Sequence, residues 1–312
     1  MMTKIRLRLL LVSLSAFAVF SPAASAILKQ RTFATPRAAA DALADAATRF
    51  DVPDLLEILG PDGTDLVVTG DPVLDKTQAS NFATAAKEKL AVETDKANPK
   101  KATVVVGKDD WPLPIPLVEQ DGKWRFDSAA GRREILLRRI GRNELDAIEV
   151  CEGYVEAQEE YASEPRGGAS VTQYAQKVIG GADKQDGLGW RDADGTWRGP
   201  IGEKIAQAIA EGYDSKYEPY HGYYFKILKG QGPHAPLGQL DYVVKGLMIG
   251  GFALVASPAE YGVTGVKSFL VSNDGVVYEK DLGPKTLETF AAMERFDPDD
   301  SWSPVSEKGQ VD

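Results

Sequence analysis

One cysteine and two histidines in 312 residues leave little material for thiol, imidazole or zinc chemistry. Cys151 cannot close an intramolecular disulfide, and its neighbours Glu149 and Glu152 have the wrong sign to stabilise a thiolate. It is expected to be a buried structural thiol. His221 and His234 match no His-Glu-x-x-His spacing, so a zinc site would need them to converge on a third ligand. No Gly-x-Ser-x-Gly elbow and no Walker phosphate loop occurs. Asp192, Asp194 and Glu203 fall at positions one, three and twelve of a calcium loop, but Trp197 stands where position six demands glycine. The segment Asp192-Ala193-Asp194-Gly195 is expected to be a turn held by its own Asp side chains. No metal and no cofactor is expected.

Positive charge is also in deficit, with 36 Lys and Arg against 46 Asp and Glu. No basic stripe offsets this, which argues against a nucleic-acid partner. Long apolar runs are missing except at the start, where Leu9 to Phe20 follows Lys4, Arg6 and Arg8 and precedes Ser21-Pro22-Ala23-Ala24-Ser25-Ala26. A basic head, an apolar run too short to span a bilayer and a small-residue site make a secretory signal peptide. Cleavage is expected after Ala26, giving a periplasmic chain with no transmembrane span.

Three parts follow: a signal peptide over 1–26, an α+β domain over 27–140 and a second α+β domain over 141–312. In the first domain, Thr35 caps a helix running to Phe50, with Ala39, Leu43, Ala46, Ala47 and Phe50 on one face. Helices are expected over 53–59 and 82–90, then strands over 102–106, 115–118 and 124–126. In the second, the longest helix is expected over 132–161, bent or broken near Gly141. It carries Leu145, Ile148, Cys151, Val155 and Gln158 on one face, with a solvated acidic face behind them. A loop region spans 165–200, a helix 201–213, and an all-strand tail follows. Its strands are expected near 220–228, 242–244, 252–256, 268–272 and 276–280, the last two joined at Asn273-Asp274-Gly275. The glycines from Gly246 to Gly251 lie between strands and read as turns.

The Ala-rich helix after Phe33-Ala34-Thr35-Pro36, the stop at Leu59-Gly60-Pro61 and the turn and strand Asp121-Gly122-Lys123-Trp124-Arg125-Phe126 together resemble the cystatin-like or NTF2-like fold. From Asn143 onward, one long helix, a variable loop and the segments Gly222-Tyr223-Tyr224-Phe225, Ala253 to Pro258 and Tyr261 to Phe269 resemble the soluble part of pilins and pseudopilins. Charged Arg132-Arg133-Glu134 and Arg138-Arg139 replace the apolar helix with which pilins build a filament core. Across the mature chain, Trp111 to Pro116, Ile140 to Leu145, Pro219 to Tyr224 and Lys280 to Pro284 resemble the bacterial secreted family called domain of unknown function 2950. That resemblance implies no activity and no catalytic residue.

Trp190, Trp197, Tyr217, Tyr220, His221 and Tyr223 are the candidate partner or ligand surface. Tyr213, Tyr217, Tyr220, Tyr223, Tyr224 and Phe225 could offer faces for a sugar or peptide, or alternate members could point into the core. The expected role is non-enzymatic binding or assembly in the envelope, with a protein or glycan partner. The alternative is a carboxylate-based hydrolase of envelope glycan, which would require two facing acids with a shifted pKa.

Overall fold

The computed structural model describes residues 29–182, 184–203, 205–206 and 219–306. The chain divides into two compact units, with the boundary between Ala129 and Ala130. It is an α+β protein, and every sheet ladder among the described residues is antiparallel.

The first unit opens on a segment whose Phe33 bridges Trp124. Helix α1 (Pro36–Arg49) starts as the sequence dictates, since Thr35 Oγ1 accepts from the Ala38 N–H at 3.1 Å and Pro36 takes the first turn. Its buried face is almost all alanine: Ala39, Ala40, Ala46 and Ala47 beside Leu43. Helices α2 (Val52–Leu59), α3 (Thr64–Val67) and α4 (Pro72–Glu88) follow. The helix expected over 82–90 thus begins ten residues earlier. Asp71 caps it by accepting from Val73 and Leu74, and Pro72 opens it, but alanines and threonines give its apolar face little contrast. Leu90 lies outside that helix and starts β1 (Leu90–Thr94), a strand the sequence reading missed. Strands β2 (Lys101–Val106), β3 (Trp111–Pro112), β4 (Leu117–Gln120) and β5 (Lys123–Phe126) complete a sheet ordered β1-β2-β4-β5, with β3 beside β2. Gln30 ties the entry together, donating to the carbonyls of Ile58, Leu59 and Phe126. Two of these are end-of-helix carbonyls that lack intrahelical donors.

The second unit is built on α5 (Ser128–Tyr161), helical throughout and unbroken at Gly141. Its buried face is Ala147, Val150, Cys151, Tyr154, Ala157, Gln158 and Tyr161, with Val155 at the edge. Leu145, expected to face the sheet, is 47% exposed, and Ile148 is only partly covered. The true stripe uses Ala147 and Tyr154, a small and an amphipathic residue, in place of Leu145.

A hairpin of β6 (Trp190–Arg191) and β7 (Trp197–Arg198) precedes the main sheet. Strand β8 (Tyr223–Leu228) opens that sheet. Short ladders follow: β9 (Gly230–Gln231) with β10 (Leu240–Asp241), and β11 (Val243–Val244) with β12 (Leu247–Met248). Strands β13 (Ala253–Pro258), β14 (Lys267–Ser272) and β15 (Val277–Asp281) form the centre. Gly275 at φ 75° supplies the left-handed residue of the β14–β15 hairpin. Helix α6 (Thr286–Ala292) and β16 (Ser303–Pro304) end the unit. The sheet order is β16-β15-β14-β13-β8.

The tail is therefore not all strand, because α6 packs on this sheet. Strand alternation puts Tyr223, Phe225, Leu254 and Phe269 on the face that carries α5, where Tyr154 meets Phe252 edge-on at 5.7 Å. The other face carries Ser257 and Ser268, whose hydroxyls meet that of Thr286 at the start of α6. Every residue of β13 is buried, as an apolar run without alternation demands. Most of the helix expected over 201–213 lies outside the described residues.

Candidate functional site

Two successive left-handed residues, His221 at φ 45° and Gly222 at φ 77°, turn the chain between Tyr220 and Tyr223. Each of these tyrosines donates its N–H to the other's carbonyl, closing a two-residue hairpin. Glycine suits its position; a side chain there would meet Asn143 and Thr264. Histidine at the first position costs about 1–2 kcal/mol of backbone strain. Strain of this kind persists where surrounding contacts hold it.

Those contacts are present. The imidazole lies flat on the Tyr220 ring, with centroids 4.2 Å apart and planes 9° apart. Its Nδ1 donates to Asp146 Oδ2 of α5 at 2.5 Å. One helical turn earlier, Asn143 donates to the Thr264 carbonyl, and Glu144 Oε1 accepts from the N–H groups of Val266 and Lys267 at 2.9 and 3.0 Å. Below the hairpin, Tyr223 is fully buried and donates its hydroxyl to the Lys267 carbonyl. Burial, with Glu144 adding to it, pushes that phenol far above its ordinary range. Three segments distant in sequence, Asn143 to Asp146, Tyr220 to Tyr223 and Thr264 to Lys267, thus form one hydrogen-bonded cluster. It presents a half-exposed histidine on an aromatic ring.

A family model described as "Protein of unknown function (DUF2950)" matches residues 30–305. The chain belongs to that family. No curated protein and no solved structure matches it. All three clustered segments lie within the family match, and two of them overlap Ile140 to Leu145 and Pro219 to Tyr224, which carry the family resemblance in the sequence.

The six candidate surface residues separate into two groups. Tyr220, His221 and Tyr223 share the cluster just described, although Tyr223 faces inward and supports it. Trp190 and Trp197 share the β6–β7 hairpin. Trp190 is buried under the Arg166 guanidinium, which also covers Tyr161. Trp197 packs on Gly189 and donates its indole N–H to the Ile201 carbonyl. Both tryptophans pin the 165–200 loop, which Gln158 anchors by bonding both the N–H and the carbonyl of Ala175. Tyr217 lies outside the described residues. On β8 the aromatic alternation holds: Tyr223 and Phe225 are buried, while Tyr224 is half-covered.

The remaining chemical candidates are engaged structurally. Cys151 is fully buried, and desolvation pushes its thiol well above the ordinary range. Asp192 and Asp194 hold the β6–β7 turn, with Asp192 accepting from Arg198 and Asp194 from the Thr196 N–H. The Thr196 contacts also keep Asp194 ionised below the usual carboxylate range. Asp186, paired with Lys177, and Asp299, bonded to Ser301, are lowered likewise. A groove of about 570 Å³ runs between the outer face of β8 and α6, lined by Tyr224, Leu287, Phe290, Met293 and Glu294. Lys226 inside it donates to the carbonyls of Phe290 and Ala291, capping the end of α6, and burial lowers its pKa. Sequence reasoning missed Asn143, Glu144 and Asp146 as parts of a site. For Asn143 and Glu144 the signal was their place between Ile140 and Ala147 on the buried face of α5.

Proposed function

We propose that this chain is exported to the periplasm, with processing after Ala26, and that it acts there by binding an envelope protein or glycan and not by catalysis. The observation that carries this reading is the Tyr220–His221 stack held against Asp146 on a left-handed turn. An aromatic surface fixed in advance loses little freedom when a partner covers it, and such rigid aromatic anchors dominate binding energy. The strain tolerated at His221 supports the same reading, since a histidine that served only to turn the chain would be better replaced by asparagine or glycine.

The hydrolase alternative receives less support. Its general acid needs a carboxyl with a raised pKa, whereas Asp186, Asp194 and Asp299, among the described residues, are held below their ordinary value. The single carboxylate among the described residues lining the β8–α6 groove is Glu294.

A photo-crosslinking residue introduced at 221 and activated in intact cells tests the proposal. It should capture a discrete envelope component, while the same residue at exposed Lys108 captures none. Glycan cleavage by the purified chain, abolished by an Asp or Glu substitution, would replace binding with catalysis.

A further inference from the structure

The two halves of α5 carry opposite charge. Residues 128–142 hold five arginines and one acid, and residues 143–161 hold seven acids and no base. This order runs against the helix macrodipole, which favours acids near the N-terminus and bases near the C-terminus. The first turn has no acid and the last turn no base. Intrahelical stability therefore does not account for the arrangement. Part of it forms a continuous outward stripe: Arg139, Arg142, Leu145, Glu149, Glu152 and Glu156 recur at three- and four-residue steps, and all six are exposed. Leu145, 47% exposed, sits where the sign changes. Among the described residues, Arg139, Arg142, Glu149 and Glu152 make no ion pair.

We infer that this stripe is the contact surface for a second copy of the chain, paired helix against antiparallel helix about a twofold axis near Leu145. A stripe basic at one end and acidic at the other is its own complement when reversed, as an isologous interface requires. A register centred between Leu145 and Asp146 sets Arg142 of one copy opposite Glu149 of the other, and Arg139 opposite Glu152. Leu145 from each copy covers the axis and excludes water there. Antiparallel packing also opposes the two macrodipoles favourably. Because exposed ion pairs are individually weak and screened, the dimer is expected to have a Kd on the order of micromolar and to loosen with salt.

Sedimentation analysis of the mature chain and two charge-reversed forms, Arg139→Glu with Arg142→Glu and Glu149→Arg with Glu152→Arg, tests this. The unaltered chain should dimerise at low salt and weaken about tenfold or more when salt is raised from 50 to 500 mM. Each reversed form alone places like charges opposite and should be monomeric. Mixed in equal amounts they restore both opposite-charge pairs, so a one-to-one heterodimer should form. That recovery also proves that both variants are folded. A monomeric unaltered chain at about 200 µM and low salt, on the order of a hundred times the expected Kd, overturns the inference. So does a dimer that survives either reversal, or a mixture that stays monomeric.

Discussion

In the first unit the buried face of α1 is a layer of alanines beside Leu43, which interposes almost nothing between the helix and its neighbours. In the second unit Tyr154 of α5 meets Phe252 edge-on, and its hydroxyl must find a partner, Gln158, inside the core. The first core is set by backbone proximity and fails when enlarged. The second is set by large side chains and their buried polar tips, and fails when reduced. The second unit also covers its sheet on both faces, which makes β13 the most deeply buried strand. The same architecture class thus hides two different sensitivities to mutation.

The sharpest way to break this contrast is Phe225→Ala. Removing a fully buried ring should cost about 3–5 kcal/mol, and calorimetry should show the loss in the transition of the second unit. An equal shift in the first unit's transition would show that the two cores do not respond separately. Glu144→Ala ranks next. Two N–H groups, those of Val266 and Lys267, lose their acceptor, at about 1–3 kcal/mol in denaturant titration. The mirror test in the first unit is Ala40→Leu, which should overpack the alanine layer and cost about 1–3 kcal/mol, whereas a gain in stability would mean the layer has slack.

The smallest expected effect is pH dependence at His234. Its ring Nδ1 faces Asp297 Oδ2 at 3.1 Å, and Asp297 also accepts the His234 N–H, joining the 232–238 loop to the C-terminal segment. That hydrogen bond, then the charges of Asp297, Asp299 and Asp300, raise the histidine pKa above 6.5. A raised folded-state pKa means the contribution is fully present below the unfolded value and fades as pH rises through the folded one. Proton NMR titration should find this imidazole ionising above its ordinary value, and Asp297→Asn should move it back toward that value.

Much of this was legible beforehand, for identifiable reasons. Thr35-Pro36 marks a helix start through its own hydrogen bond, and Asn273-Asp274-Gly275 marks a hairpin through backbone freedom. Local chemistry of this kind needs no knowledge of the rest of the chain. The strand near 252–256 was legible but its cover on both faces was not read from its apolar run, because α6, seven residues long, was too short for its period to stand out. The face of α5 was misread by one position because leucine outranks alanine on any apolar scale, yet Ala147 is the residue that permits close approach. The site was least legible. His221 and Tyr220 could be singled out as residues, but their anchor Asp146 lies 75 positions away. Nothing in a helix rich in acids distinguishes that carboxylate from its solvated neighbours.

Glu144 also bears on the order in which the chain assembles. Its carboxylate is satisfied by N–H groups 122 and 123 residues further on. The sheet of the first unit has all its strands once Phe126 has emerged, whereas α5 must wait for β14. Until then Tyr223, Phe225 and the β13 run have no cover, and pairing over so long a separation is slow. A chain delivered from its N-terminus therefore passes through an interval in which one unit is complete and the other remains an adhesive strand set. Any chaperone that assists this protein would find its binding segment between residues 223 and 272.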